Sequence, residues 1–545
     1  MIKKFKQAAV IAVAVSAALS TTAFADVIYA PGVNTQSTAG PVGGTAQSDS
    51  STGTAQDTQT QTQGTQSQST QSQSTQSQAT VGTGVSNSGT NVIGPGGSTQ
   101  TQSSTTQAQS GNLGSAGQGV EADPILGEAP IVNAALIQSD GNTPTFSTDS
   151  AAGTAETDGF TGLWMCYDRA IGDVYYRVYT DAHGWSKWAM NEMRTPDYGD
   201  GSKVAGVEVR IKGHTANSYD IFYRATLNDG TQLGWAHNGD AAGTFGTGKY
   251  IQSLEIKLFK KGTGTAAGYQ QAAGFEGVVT GDDGKAVYQT FDNRAFTGWA
   301  YDNNNNKYYF NNNHIVTGWQ YIDGYKYYFD ENGVVVTDLE PIIGLTGDYI
   351  IKINKAMKTM TVYAKDGDNG YIIPVKSILT TIGNDTPLGT YKTYEAYRWK
   401  YMHDADGGAY YCQYLLRFKN GYILHSIIYQ GAADSYHLLA DTYNQLGKNQ
   451  SDGCVRMLSG DAAWIYNNCG VGTQVTIYND EWVTGPFDRP AIEQAIPRTQ
   501  NYDPTDPVIV KKQQQEAADA ARAAALAAQQ EAATGIEAEP QEIAQ

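Results

Sequence analysis

YILHSIIY at residues 422–429, followed by LGKNQSDGCVRM at 446–457, is the stretch around which the chain is organised. The first string alternates as a strand does and delivers His425. The second is a short polar loop that delivers Cys454 between Gly453 and Val455. A nucleophile and a base are thus offered on rigid neighbouring elements, as cysteine acyl transfer requires.

Working outward, YIIKINKAMKTMTVYA at 349–364 alternates as a strand pair. IPVKSILTTIG at 373–383 predicts a buried strand ending at a turn, and DTPLGTY at 385–391 a sharp bend over a cleft. AYYCQYLLRF at 409–418 leads through Asn420-Gly421, a hairpin signal, into the strand with His425. After Cys454, GDAAWIYNN predicts one short helix and VGTQVTIYN a closing strand. Residues 345–480 therefore predict a mainly β catalytic domain with few helices.

The run S-D-G-C-V-R-M, with the His425-Ser426 pair and the strings TVYAKDG, IPVKSILTTIG, DTPLGTYKT and YRW upstream in the same order, resembles the L,D-transpeptidases that cross-link peptidoglycan. The resemblance covers roughly 347–479 and implies a β-sandwich. One position departs from it: Asp452 stands where the family usually has His. The resemblance implies a transferase with no cofactor and no metal. Cys454 would attack the third residue of a tetrapeptide stem, release D-Ala and pass the acyl group to an amine of a neighbouring stem as a 3→3 cross-link. Water in place of the amine would make the enzyme a carboxypeptidase. The same residues would also serve a wall-peptide endopeptidase, and an impaired catalytic domain would leave a wall protein with a structural role alone.

In that reading Cys454 is the nucleophile and His425 the proton donor and acceptor, supplying an imidazolium that lowers the thiol pKa. His437 is closer in sequence but lies in a long polar segment that predicts a loop. The backbone N–H groups of Gly453 and Cys454 are expected to donate to the oxyanion, Ser451 to hydrogen-bond within the loop, and Arg456 to brace it or to anchor a substrate carboxylate. Asp452, an acceptor when ionised, cannot take over a donor role. Cys412 and Cys469 are either bonded or two small buried residues.

Beyond this domain the chain of 545 residues divides by composition. MIKKFKQAAVIAVAVSAALSTTAFA at 1–25 predicts a secretory signal peptide, an uncleaved anchor being the rival reading. Residues 26–155 are rich in Ser, Thr, Gln and Gly and predict a disordered linker. Eleven acidic and no basic residues fall within 26–168, and twelve acidic against five basic within 480–545. These flanks hold the net charge of −18, leaving the middle near neutral, which argues against nucleic-acid binding. Residues 481–545 predict a polar tail with an Ala-rich helix. After signal cleavage no membrane contact is expected, and the location implied is outside the cell at the wall.

Two repeats separate linker and catalytic domain. Over 160–262, Tyr176-Arg177 recurs as Tyr223-Arg224 and VEVRI as LEIKL, 47 residues on, with Gly184-Trp185 and Gly234-Trp235 between. This resembles the clostridial hydrophobic repeats of surface proteins. Over 280–340, Gly298-Trp299 recurs as Gly318-Trp319 and Tyr308-Tyr309-Phe310 as Tyr327-Tyr328-Phe329. That spacing resembles choline-binding-like cell-wall repeats, built of β-hairpins. The resemblance implies an aromatic box for choline or glycan, with Trp299, Tyr308, Trp319 and Tyr328 as ligand-binding residues.

Overall fold

The computed structural model describes residues 120–148, 154–262, 276–403, 407–448, 451–483 and 485–535. The expected signal segment and most of the expected linker lie outside them. The linker does not reach residue 155, however: Ile131–Ile137 (β1) is a strand whose Val132, Ala134 and Leu136 are buried.

β1 pairs with Gly162–Asp168 (β2). Two further sheets are centred on Asp173–Thr180 (β3) with Gly206–Lys212 (β4), and on Tyr219–Leu227 (β5) with Ile251–Lys260 (β6). All six strands send side chains into one core. The 47-residue repeat is visible as geometry. Asn191 and Asn238, both at positive φ, donate through Nδ2 to Asp173 and Asp220 and accept from the N–H of Val174 and Ile221. Arg177 pairs with Glu208 as Arg224 pairs with Glu255. By the 47-residue offset Trp188, not Trp185, corresponds to Trp235; Arg177 lies over both Trp185 and Trp188, at 4.5 and 4.8 Å, and Arg224 over Trp235 at 4.6 Å.

The aromatic array follows. Gly277–Thr280 (β7) and Ala286–Gln289 (β8) form the worn first hairpin, Gly298–Tyr301 (β9) and Lys307–Asn311 (β10) the second, and Gly318–Ile322 (β11) and Tyr325–Phe329 (β12) the third. The third hairpin docks on the next domain through the Lys326 N–H to Ile372 O bond and the Tyr325–Tyr363 stack.

The next domain is a two-sheet sandwich. One sheet runs Ile373–Leu379 (β15), Thr359–Ala364 (β14), Tyr349–Asn354 (β13), Gln474–Tyr478 (β21), Gly389–Lys392 (β16), with β13 and β21 parallel. The other runs Glu395–His403 (β17), Ala409–Lys419 (β18), Tyr422–Ser426 (β19), Val455–Met457 (β20). Alternating Ile351, Ile353, Met360, Val362 and Val475 meet Leu416, Leu424, Val455 and Met457 between the sheets. The helix Ser459–Asn468 (α1) closes the core with Ala462, Ala463 and Ile465. Asn420-Gly421 turns β18 into β19, with Gly421 at φ 81.

The tail expected to begin at 481 is solvated only later. Phe487, Asp488, Arg489, Ile492, Ala495, Ile496, Asp503 and Asp506 are all buried or nearly so, and the exposed helix Pro507–Gly535 (α2) follows. No helix among the described residues is long and apolar enough to cross a membrane.

Candidate active site

β19 and β20 run parallel in the register Leu424↔Val455, His425↔Arg456 and Ser426↔Met457. Paired residues share a face and alternate residues along a strand share a face. Leu424, Val455 and Met457 enter the sandwich core, so His425, Arg456 and Cys454 are directed to the opposite side. Ile423, Tyr410, Cys412 and Leu415 form one apolar cluster with Cys454 on that side.

His425 is fully buried. Its Nδ1 lies 2.6 Å from Ser426 O, and since a carbonyl only accepts, Nδ1 carries the proton. Nε2 is buried without a hydrogen-bond partner and keeps its lone pair. Burial pulls the imidazole pKa down to about 3, the Arg456 guanidinium adding to that and the Ser426 carbonyl opposing it. The imidazolium expected from the sequence is therefore not the resting form: a cation in this dry position, beside a second cation, is too costly.

Cys454 is 8% exposed. Burial pushes its thiol pKa up, the Ile423 main chain and Arg456 pull it down, and Asp452 pushes it up again. Sγ points to Gly421 O at 3.9 Å. At rest the candidate pair is a neutral thiol and a neutral imidazole.

The loop before Cys454 is held by its own groups. Ser451 Oγ donates to Cys454 O at 2.5 Å and accepts the Gly453 N–H at 3.2 Å. One of the two N–H groups expected to serve an oxyanion is thus engaged within the loop. Gly453 O accepts from Thr386 Oγ1 at 2.8 Å, tying down the segment at 385–391. Gly453 has φ 125, and a Cβ there would sit 2.7 Å from the Tyr422 ring. Asp452 is exposed. Arg456 pairs its backbone with Thr381 in both directions; its guanidinium lies 5.7 Å from the Tyr410 ring centroid, with Nε buried and unpartnered. His437 lies on an exposed turn, 3.8 Å from Asp434.

Tyr410 and Cys412 do not stand out in the sequence as site residues. Burial pushes the Tyr410 hydroxyl up to about 12, with Arg456 opposing by its charge and a hydrogen bond and the Cys454 and Cys412 thiols adding to it, so the phenol keeps its proton within the cluster that holds Cys454. Burial also pushes the Cys412 thiol far up. Cys412 and Cys469 are both free thiols, in separate surroundings.

The expected aromatic box is not assembled. Trp299 pairs across the hairpin with Tyr309, while Tyr308 points to the buried side and donates to Asp302. Trp299 packs with Tyr327 and Phe329, and Lys307 Nζ already lies 4.7 Å from its ring. Trp319 and Tyr328 pair on the other face of their hairpin, 5.2 Å apart, with exposed Tyr321 beside them. Lys326 Nζ is 5.2 Å from the Trp319 ring.

Fold and site together describe a candidate cysteine acyltransferase. Residues 348–477 match the L,D-transpeptidase catalytic domain family, and residues 297–313 and 317–335 match the cell wall binding repeat. Among solved structures, an L,D-transpeptidase from Mycobacterium smegmatis is similar at 20% identity over 24% of this chain and 58% of its own, TM-score 0.19. L,D-transpeptidase 1 from Mycobacterium tuberculosis is similar at 19% over 24% and 60%, TM-score 0.18. A fused Zn-dependent amidase/peptidase/peptidoglycan-binding domain-containing protein from Clostridium acetobutylicum is similar at 20% over 24% and 51%, TM-score 0.18. The chain spans a little over half the length of each. No curated protein matches.

Proposed function

We propose that the chain is an exported, wall-retained L,D-transpeptidase. The observation that carries this reading is the arrangement on β19 and β20. Cys454 and His425 face the same side of paired strands, with the His425 Nδ1 proton fixed on Ser426 O and Nε2 left free. Because both groups rest neutral, the thiol proton passes to Nε2 as sulfur attacks the carbonyl carbon of the donor stem's third residue. The carbon–nitrogen bond to the terminal D-Ala then breaks, the imidazolium returns its proton to the leaving amine, and a thioester on Cys454 remains. An acceptor amine displaces sulfur, giving the 3→3 cross-link. Tyr410, a buried phenol beside the thiol, is the donor for the developing oxyanion in place of Gly453.

Retention at the wall is assigned to the two exposed rings of the third hairpin, Trp319 and Tyr321, stacking on glycan, with Lys326 already occupying the cation position over both rings and half-buried Tyr328 supporting Trp319 from the catalytic-domain side. The signal segment at 1–25 supplies export.

Incubation of the purified chain with tetrapeptide stems, read by mass spectrometry, tests the reading. A cross-linked dimer lacking one D-Ala is expected, and Cys454→Ala should abolish it. A trimmed monomer would make the enzyme a carboxypeptidase, and no product would remove the transferase reading. For retention, Trp319→Ala should release the chain from purified sacculi. Trp299→Ala should leave sacculus binding in place and instead lower Tm, because its ring fills a core.

A further inference from the structure

The segment after the matched domain ends in two fully buried carboxylates, Asp503 and Asp506, both committed to the elements that hold the candidate base. Asp503 Oδ2 accepts the Ser459 N–H at 2.7 Å and so caps α1, whose own N-cap residue, Leu458, has no side chain to do it. Asp506 Oδ2 accepts from Gln413 Nε2 at 2.6 Å. Gln413, fully buried in β18, also donates through Nε2 to Tyr429 OH at 2.8 Å and accepts Arg398 NH1 on Oε1 at 2.6 Å. Its amide orientation is fixed, since turned over it would set donor against donor. The main-chain N–H of Gln413 donates to Ser426 Oγ at 3.0 Å, and the Ser426 carbonyl holds His425 Nδ1. Tyr429 OH meets Ser459 Oγ at 2.7 Å, closing the network onto α1.

We propose that Asp506 is a positioning residue for the transferase: through Gln413 and Ser426 it fixes the orientation of His425, so the C-terminal segment completes the base of a site it does not touch. The inference rests on His425 acting as base to Cys454. Asp506 also caps α2, with Oδ1 accepting the Val508 N–H at 3.0 Å, and a test must separate that structural duty from positioning.

Asp506→Asn does so, because it keeps the capping oxygen and the volume but sets an amide donor against the Gln413 donor. The exchange variant Gln413→Glu/Asp506→Asn restores a donor–acceptor pair at unchanged local charge, with Tyr429 OH and Arg398 free to donate to the new carboxylate. In the full-length chain three quantities are compared: kcat and KM on tetrapeptide stems, Tm, and the pH profile of Cys454 alkylation by iodoacetamide resolved by peptide mass spectrometry. Asp506→Asn should lower kcat about ten- to a hundredfold at unchanged KM and displace the alkylation profile, the scale of loss from misplacing a reacting group by about 1 Å. The exchange variant should recover both. A lower Tm with kcat and profile unmoved, or a folded exchange variant that stays impaired, would overturn the proposal. If Asp506→Asn does not fold, Asp506→Ser, which keeps a capping oxygen for α2 but no acceptor that reaches Gln413, takes its place: a lowered kcat with a moved profile supports positioning, and wild-type values in a folded protein refute it. Should the wild-type chain yield no stem product while the alkylation profile still moves and returns, positioning stands and the transferase reading falls. Normal turnover in every variant would do the reverse.

Discussion

At His425 burial and hydrogen bonding act in opposite directions, and burial prevails: the carbonyl of Ser426 favours a charged ring, yet the pKa falls to about 3. The unfolded chain's histidine titrates near ~6.5, so between these values the unfolded state binds more protons. The stability this group contributes is therefore present above pH ~6.5 and lost as pH falls toward the folded value. His425→Gln should flatten that acid limb, measurable as a smaller shift in urea midpoint between pH 7.5 and 5 than in wild type. A slope equal to wild type would mean the ring is not buried neutral. Asp452 can be tested at the same scale. Its charge pushes the Cys454 thiol up, whereas the Ile423 main chain and Arg456 pull it down. Asp452→Asn should lower the thiol pKa, raise the thiolate fraction at pH 7 and speed alkylation of Cys454. Slower alkylation in a folded variant would reverse the sign assigned to Asp452.

Among the elements, the loop 451–454 shows how a strand pair becomes a site. Gly453 is required twice over: φ is 125, and an added Cβ would meet the Tyr422 ring at 2.7 Å. Gly453→Ala should cost about 2–3 kcal/mol from backbone strain and overlap, read as a drop in denaturant midpoint with the m-value unchanged. Cys454, His425 with Ser426, the Asn420-Gly421 turn and α1 were legible because each is local: an alternation, a turn pair or a short helical run. Tyr410 was not, because only the folded sheet gathers it into one cluster with Ile423 and Cys454, from strands that lie apart in the sequence. The same holds for the hairpins. Trp299 and Tyr309 are ten residues apart and Trp319 and Tyr328 nine, so matching tyrosines by repeat spacing put Tyr308 on the wrong face. The capture of the Gly453 N–H by Ser451 is a loop conformation that sequence spacing does not determine.

For the whole molecule the unreadable part was the tail, whose polar composition reads as solvated although its charges find distant partners. Asp488 is where three modules meet. Its Oδ1 accepts from Tyr301 OH at 2.7 Å and Lys307 Nζ at 3.0 Å in the aromatic array, and its Oδ2 from Arg210 at 3.1 Å, with Lys212 at 3.8 Å, in the β4 strand. Arg210 is itself enclosed by Tyr301, Tyr175 and Trp188, at 3.6, 4.5 and 4.8 Å. The neighbouring Arg489 pairs with Asp173 and donates to Gly447 O at 2.6 Å, extending the junction to the catalytic domain. Removing the acceptor leaves three cations facing one buried point, a loss of about 3–5 kcal/mol for breaking such a cluster, whereas solvent screens an exposed pair such as Arg294–Asp292. Asp488→Ala should therefore detach the modules and split calorimetric unfolding into separate transitions, whereas Asp292→Ala should leave one trace unchanged. Burial alone would raise the Asp488 pKa, but Lys307, Arg210 and Lys212 outweigh it and hold the carboxyl well below its ordinary range. A depressed folded pKa gives stability that is present above the unfolded value of ~3.9 and is lost only as pH falls further. The difference between wild type and Asp488→Ala should accordingly stay constant from pH 8 to 5 and shrink only below about pH 4. A difference that fades at pH 6 would place the docking charge elsewhere.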